Sequence, residues 1–92
     1  MKYKELAQIA EQNGFKAMVT LNYVIVINRD SDIRASISRD QYCKYKIWSA
    51  QSIDNFVPAS LAKAIAEYAD TYWMDREEPD HNVDLWKDDG YV

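Results

Sequence analysis

The sequence predicts an α+β fold: a helix, an antiparallel meander of three to four strands, a second helix and a short acidic C-terminal tail. Hydrophobic spacing is helical before Gly14 and after Pro58, and it has a period of two between them. The segments joining the predicted strands are short, which favours antiparallel neighbours. We therefore assign residues 1–78 to a single domain and residues 79–92 to the tail, in which VDLW is compatible with one helical turn.

The first helix is predicted within the segment KYKELAQIAEQNG. Leu6, Ile9, Ala10 and Asn13 lie on one stripe of this helix at spacings of three and four, with Tyr3 near the start. Glycine adopts the left-handed backbone conformation without steric cost. The Asn13-Gly14 pair is therefore expected to end this helix.

Four segments between the helices are predicted to be strands, over residues 15–20, 23–27, 33–38 and 42–48. In the first, third and fourth, apolar and polar residues alternate, so one face of each strand turns toward the core. The inward residues are Phe15, Ala17, Val19, Ile33, Ala35, Ile37, Cys43, Tyr45 and Ile47. The second segment, YVIVI, is continuously apolar, which predicts a central strand buried on both faces. Cys43 is accordingly expected to be a buried structural thiol.

The second helix is predicted to begin at Pro58, because the first helical position does not need an N–H group. The residues at helical spacing are Leu61, Ile65, Tyr68 and Tyr72, and their face is widened by Ala59, Ala62, Ala66, Ala69 and Trp73. The helix should end before Pro79, since residues that precede proline disfavour helical geometry. Both helices are expected to pack on one face of the sheet.

Composition fits a folded chain whose acidic residues are concentrated in its second half. The chain has 92 residues, of which 48% are hydrophobic, and it contains a single cysteine, which suits a reducing compartment. No apolar run is long enough for a signal peptide or a membrane span, so a cytoplasmic location without membrane contact is expected. Residues 1–48 carry eight Lys/Arg against five Asp/Glu, whereas residues 49–92 carry three against ten.

Catalytic and cofactor motifs are missing from the sequence. There is one histidine, and two glycines are too few for a phosphate-binding loop. A Cys43–His81 nucleophile pair lacks an activating environment. The segment DREEPDHNVD offers carboxylates for a metal ion, but it has no calcium-loop spacing. We interpret it as an acidic, solvated surface and expect a non-enzymatic protein without metal or cofactor.

Acidic and aromatic residues occur together near the C-terminus. Residues 70–92 hold eight acids against Arg76 and Lys87. Acids steer the encounter with a basic partner, and aromatics anchor it once water is excluded. The predicted partner-binding residues are Asp70, Trp73, Asp75, Glu77, Glu78, Asp80, Asp84 and Trp86. The alternative is a solubilising tail whose aromatics fold back on the core, and the oligomeric state is left open.

A second hypothesis is a nucleic-acid-binding module that uses the outward face of the sheet. Its residues are Lys16, Arg34, Tyr42, Lys44, Lys46 and Trp48. The order of elements resembles that of the double-stranded RNA-binding domain, but the lysine-rich start of the last helix in those domains is missing. Nucleic acid is the less favoured partner, because phosphate contacts dominate such affinity and the sequence pI is about 4.8.

The stretch LAKAIAEYADTYWMDREEP resembles the C-terminal helix of small, mostly uncharacterised accessory proteins of bacteriophages and prophages of Gram-positive bacteria. The matching residues are Glu67, Tyr68, Ala69, Thr71, Arg76, Glu77 and Glu78. The resemblance implies an accessory protein made in the host cell cytoplasm. It also implies an acidic inhibitor of a nucleic-acid-handling or defence machine, of the anti-CRISPR or anti-restriction type.

Overall fold

Two helices cover one face of a four-stranded antiparallel sheet in the computed structural model, which describes residues 1–48 and 57–79. The elements are α1 (Tyr3–Gln12), β1 (Lys16–Val19), β2 (Tyr23–Ile27), β3 (Ile33–Ser38), β4 (Tyr45–Ile47), α2 (Ala59–Ala69) and a 3₁₀ turn (Trp73–Asp75). The strands pair in the order of the chain, β1-β2-β3-β4. The predicted α+β class is confirmed, while the predicted tail from residue 80 onward lies outside the described residues.

The first helix ends where the sequence predicts. Asn13 follows α1 and donates from Nδ2 to the carbonyl of Ile9 at 2.8 Å, and Gly14 has a φ of 82°. At the start, the Lys2 N–H donates to the Glu5 carboxylate at 2.9 Å, which satisfies a backbone donor that the helix leaves free.

The second helix is shorter than the hydrophobic spacing indicates. Pro58 immediately precedes α2, and the helix ends at Ala69, so Tyr72 and Trp73 lie beyond it. Their predicted place on its apolar face is therefore wrong. Among the described residues, no helix has the length and apolar character needed to cross a membrane.

The strand register places most of the core where alternation predicts, but Tyr45, which was predicted to face inward, is 42% exposed, and Ile33 lies outside the core cluster. Ala17 pairs with Val26 and Val24 with Ile37, all four facing the helices. The remaining members of the core cluster are Leu6, Ala10, Phe15, Val19, Ala35, Leu61, Ala64, Ile65, Tyr68 and Ala69. Ile25 and Ile27 alternate to the other face and are only 4% and 7% exposed. The prediction of a central strand buried on both faces is confirmed.

The fourth strand corrects the sequence analysis. The predicted strand over residues 42–48 is reduced to Tyr45–Ile47, because the chain turns sharply at Cys43, whose φ is 52°. The Cys43 N–H donates to the Ala69 carbonyl at 2.8 Å, which ties this turn to the end of α2. Cys43 is exposed, so the prediction of a buried thiol is wrong.

Replacing Ile65 with alanine is expected to lower the free energy of unfolding by about 2–5 kcal/mol, because it leaves a cavity between α2 and the sheet. Urea denaturation followed by circular dichroism measures this change. Leu21→Ala is the matched control: its side chain is 70% exposed, so a change below about 0.5 kcal/mol is expected. Equal losses in the two variants would contradict the packing of α2.

Candidate functional site

The chain beyond α2 is held against the core by a fully buried arginine. The Arg76 guanidinium donates to the carbonyls of Thr71 at 2.9 Å, Ser38 at 2.8 Å and Ala69 at 3.3 Å. Its Cζ lies 4.8 Å from the centroid of the Tyr68 ring. A cation at this place satisfies a free carbonyl and opposes the partial negative charge at the C-terminus of α2.

Glu78 joins this arginine to a second one. Its carboxylate accepts hydrogen bonds from the Tyr68 hydroxyl, from Arg39 Nε at 3.0 Å and from Arg76 Nη1 at 3.5 Å. Arg39 also donates to the carbonyls of Thr20 at 2.7 Å and Leu21 at 3.2 Å. The Glu78 side chain is only 7% exposed. Glu78 is therefore set apart from the acids that the sequence assigns to a partner, because its charge is already matched inside the protein.

The segment that follows α2, which Arg76 and Glu78 hold against the core, presents an aromatic cluster to solvent. The Tyr72 and Trp73 ring centroids lie 4.7 Å apart, and Tyr42 lies 6.1 Å from Tyr72 and 5.3 Å from Trp73. Tyr42 and Tyr72 are 50% and 39% exposed. The sequence analysis placed Tyr42 with the sheet cations. The turn at Cys43 instead turns the Tyr42 ring toward the end of α2, which alternation along a strand does not reveal.

Two aliphatic side chains extend the aromatic cluster. Leu21 and Met74 are 70% and 73% exposed. They line a shallow depression together with Trp73, Arg39 and the two glutamates of the REE sequence. We call the set Leu21, Tyr42, Tyr72, Trp73 and Met74 the end surface. Sequence reasoning found Trp73 and missed the aliphatic pair. Met74 could have been found from its position next to Trp73. Leu21 is distant in sequence, and its carbonyl accepts a hydrogen bond from Arg39, a contact that no local pattern reveals.

Three exposed carboxylates surround the end surface. Asp70 accepts a hydrogen bond from the Cys43 thiol at 3.3 Å, Asp75 lies in the 3₁₀ turn, and Glu77 pairs with Lys2 at 2.9 Å. The hydrogen bond to Asp70, and then burial, raise the pKa of Cys43. The cysteine therefore remains a thiol, which does not suit a nucleophile.

The structure brings together only part of the predicted partner-binding set. Asp70, Trp73, Asp75 and Glu77 lie at or around the end surface, and Glu78 lies beneath it. Asp80, Asp84 and Trp86 lie outside the described residues. Within residues 1–48 and 57–79, no three His, Cys, Asp or Glu side chains form a group that could hold a metal ion.

The predicted nucleic-acid-binding residues divide into two places. Tyr42 belongs to the end surface. Lys16, Arg34 and Lys46 lie on the strands, and Lys44 precedes β4. Trp48 follows β4, and the Lys46 ammonium lies 5.1 Å from the centroid of its ring. Three of the cations thus lie on strands of the sheet, whereas Tyr42 does not, and the nucleic-acid-binding role of the set stays a prediction.

Arg76→Met is expected to destabilise the protein by about 3–5 kcal/mol, because it leaves buried carbonyls and part of the Glu78 charge without a donor. Urea denaturation measures the loss. Lys2→Met is the control, since it breaks an ion pair whose side chains are 55% and 64% exposed, and a far smaller effect is expected. If Arg76→Met lost as little stability as Lys2→Met, the contacts of Arg76 and Glu78 would not hold the segment after α2 against the core.

Stability is expected to fall as the pH rises above about 10, because Tyr68 resists ionisation in the folded state. Burial, and then the hydrogen bond to Glu78, raise its pKa far above the ordinary value of 10.0. The folded protein therefore keeps a proton that the unfolded chain releases, and the stabilisation present below pH 10 is lost on the alkaline side.

Urea midpoints measured from about pH 8 to about pH 11 should decline less steeply in Tyr68→Phe than in the wild type. Tyr72→Phe is the control, because its ring lies in the exposed cluster, and it should keep the wild-type slope. If the urea midpoints of Tyr68→Phe declined as steeply with pH as those of the wild type, Tyr68 would not be the cause of the loss of stability at high pH.

Comparison with protein-family models, curated proteins and solved structures finds no match to this chain. The resemblance of its second helix and the following segment to phage accessory proteins therefore stays a prediction. The geometry of the end surface and of the sheet face is the basis on which a function is argued.

Proposed function

We propose that this protein acts by binding a basic protein partner through the end surface, without catalysing a reaction. The observation that carries the proposal is the exposure of Leu21 and Met74, at 70% and 73%, beside three clustered aromatic rings. Isolated exposed apolar residues are ordinary, but a contiguous patch with a polar rim is typical of an interaction site. Tryptophan, tyrosine and methionine are also the residue types enriched at interfaces.

The charges around the patch favour a cationic partner. Asp70, Asp75 and Glu77 are exposed at its rim, and within the described part of the chain only Glu77 forms an ion pair, with Lys2. Carboxylates in this position attract a basic surface during the encounter and add less to the final affinity. The central rings and Met74 would lose water on binding and contribute most of the free energy.

The buried network favours binding by ordering the segment in advance. Arg76 and Glu78 anchor the backbone on the far side of Trp73 and Met74 from α2. A segment that is already ordered loses less conformational entropy when it meets a partner. Glu78 thus supports the surface from below rather than contacting the partner.

The class of partner in this proposal is a nucleic-acid-handling or defence enzyme with a basic groove. Two considerations support it: the acidic rim, which suits such a groove, and the resemblance to phage accessory proteins. The acids and rings would occupy the groove in place of nucleic acid, and the protein would then act as an inhibitor.

Immobilised protein is expected to retain a partner from host lysate at low salt and to release it at high salt, because the encounter is electrostatic. Met74→Glu should abolish retention, since it puts a charge in the patch centre. Gln8→Glu, which adds the same charge on the exposed side of α1, should not. The retained protein is identified by mass spectrometry, and its affinity for each variant is then measured by calorimetry.

A double variant, Asp70→Asn with Asp75→Asn, tests the acidic rim. The charge-matched control is the double variant Glu11→Gln with Glu67→Gln, whose exposed residues lie on the two helices. The rim variant should bind about tenfold more weakly or worse at low salt, and the control should bind as the wild type does. Retention that ignores ionic strength, or that survives Met74→Glu, would disprove the proposal.

A further inference from the structure

The four strands carry positive charge only. Lys16, Arg34 and Lys46 are their charged residues, and no strand contains an aspartate or glutamate. The ion pairs of the described residues use Lys2, Arg39 and Arg76 instead. Within that part of the chain, the strand cations have no carboxylate partner, although the whole chain has a net charge of −4.

The strand register brings these cations to one face. Lys16 and Arg34 precede the core residues Ala17 and Ala35, so each alternates to the face opposite the core. The register of β2 and β3 shifts between Val26 and Ile27, so that Val26 pairs with Ala35 and Ile27 pairs with Ile33. The Arg34 carbonyl accepts a hydrogen bond from the Trp48 N–H at 2.9 Å, which extends the row across the sheet. Lys46 pairs with Ser36, and they alternate with the core residue Ala35 and with Ile47, which packs against the core. The cations therefore lie on the face that the helices leave uncovered.

Apolar and aromatic surface lies among the cations. The Trp48 ring is half-buried and contacts the Lys46 ammonium at 5.1 Å. Met18 and Tyr23 alternate to the same face and are also half-buried. A ring beside a cation offers an apolar surface on which an unpaired base can stack while the cations of the sheet meet its phosphates.

Acids limit this basic region to the middle of the sheet. Asp30 and Asp32 lie in the turn between β2 and β3, and Asp40 lies beyond the end of β3. A long polyanion would meet these carboxylates at both ends. The site therefore suits a few nucleotides rather than an extended duplex, whose bases are not free to stack.

We propose that the sheet face formed by Lys16, Arg34, Lys46 and Trp48 is a second binding site, for a short stretch of single-stranded nucleic acid. Its charge is opposite to that of the acidic rim, and its residues are separate from those of the end surface. The two sites can therefore be tested independently of each other.

Fluorescence anisotropy of the full chain with a labelled oligothymidine of about 12 nucleotides tests the proposal. Three phosphate contacts predict about 100-fold weaker binding when salt rises from about 20 to about 200 mM. Lys46→Glu should remove most of the binding. Lys63→Glu, the same charge change on the exposed side of α2, should leave it unchanged. Absence of binding at low salt, or equal losses in the two variants, would overturn the site.

Trp48→Ala separates stacking from simple charge attraction, and an about tenfold loss is expected for oligothymidine but not for heparin. If Trp48→Ala leaves both ligands unaffected, the face is a general polyanion surface and the nucleic-acid assignment is overturned. Circular dichroism melting curves establish that each variant is folded. Met74→Glu should bind the oligonucleotide as the wild type does, and a loss there would place the contact at the end surface instead.

Discussion

The burial of one guanidinium group organises the half of the molecule in which the candidate site lies. A fully buried arginine carries a large desolvation cost, which only a complete set of acceptors offsets. Arg76 finds them in three backbone carbonyls and a carboxylate, drawn from α2, β3 and the segment that follows α2. Its own carbonyl accepts the Tyr3 N–H at 2.6 Å, which ties α1 to the same point.

This constraint explains why the end surface exists. A continued helix would place Tyr72 and Trp73 on its apolar face, toward the sheet. The chain instead leaves the helix at Ala69, so these rings meet Tyr42 at the protein surface. Within the described residues, charge is divided between two places. Carboxylates gather around the exposed rings, and the strand cations, which form no ion pair in that part of the chain, lie on the sheet face.

The local sequence pattern was sufficient to predict the order of the helices and strands and most of the core. It was insufficient to predict contacts between residues that are distant in sequence. Alternation predicted the inward Ala17, Val19 and Ile37, and the Asn13-Gly14 pair predicted the end of α1, because these depend on near neighbours. Glu78 looked like any other surface acid, since its partner Arg39 is 39 positions away. Cys43 fitted a strand by periodicity, but a contact with the end of α2 set its backbone. Asp80, Asp84 and Trp86 lie outside the described residues.

Within the part of the chain that the structure describes, β1 and β4 are the outermost strands of the sheet, and this has a consequence for the behaviour of the protein at high concentration. An unpaired strand edge is a template on which another chain can add. Here β1 has four residues and β4 has three, and each contains an exposed lysine, Lys16 in one and Lys46 in the other. Short, charged borders of this kind oppose edge-to-edge polymerisation, because a neighbouring copy would gain few hydrogen bonds and would bring like charges together.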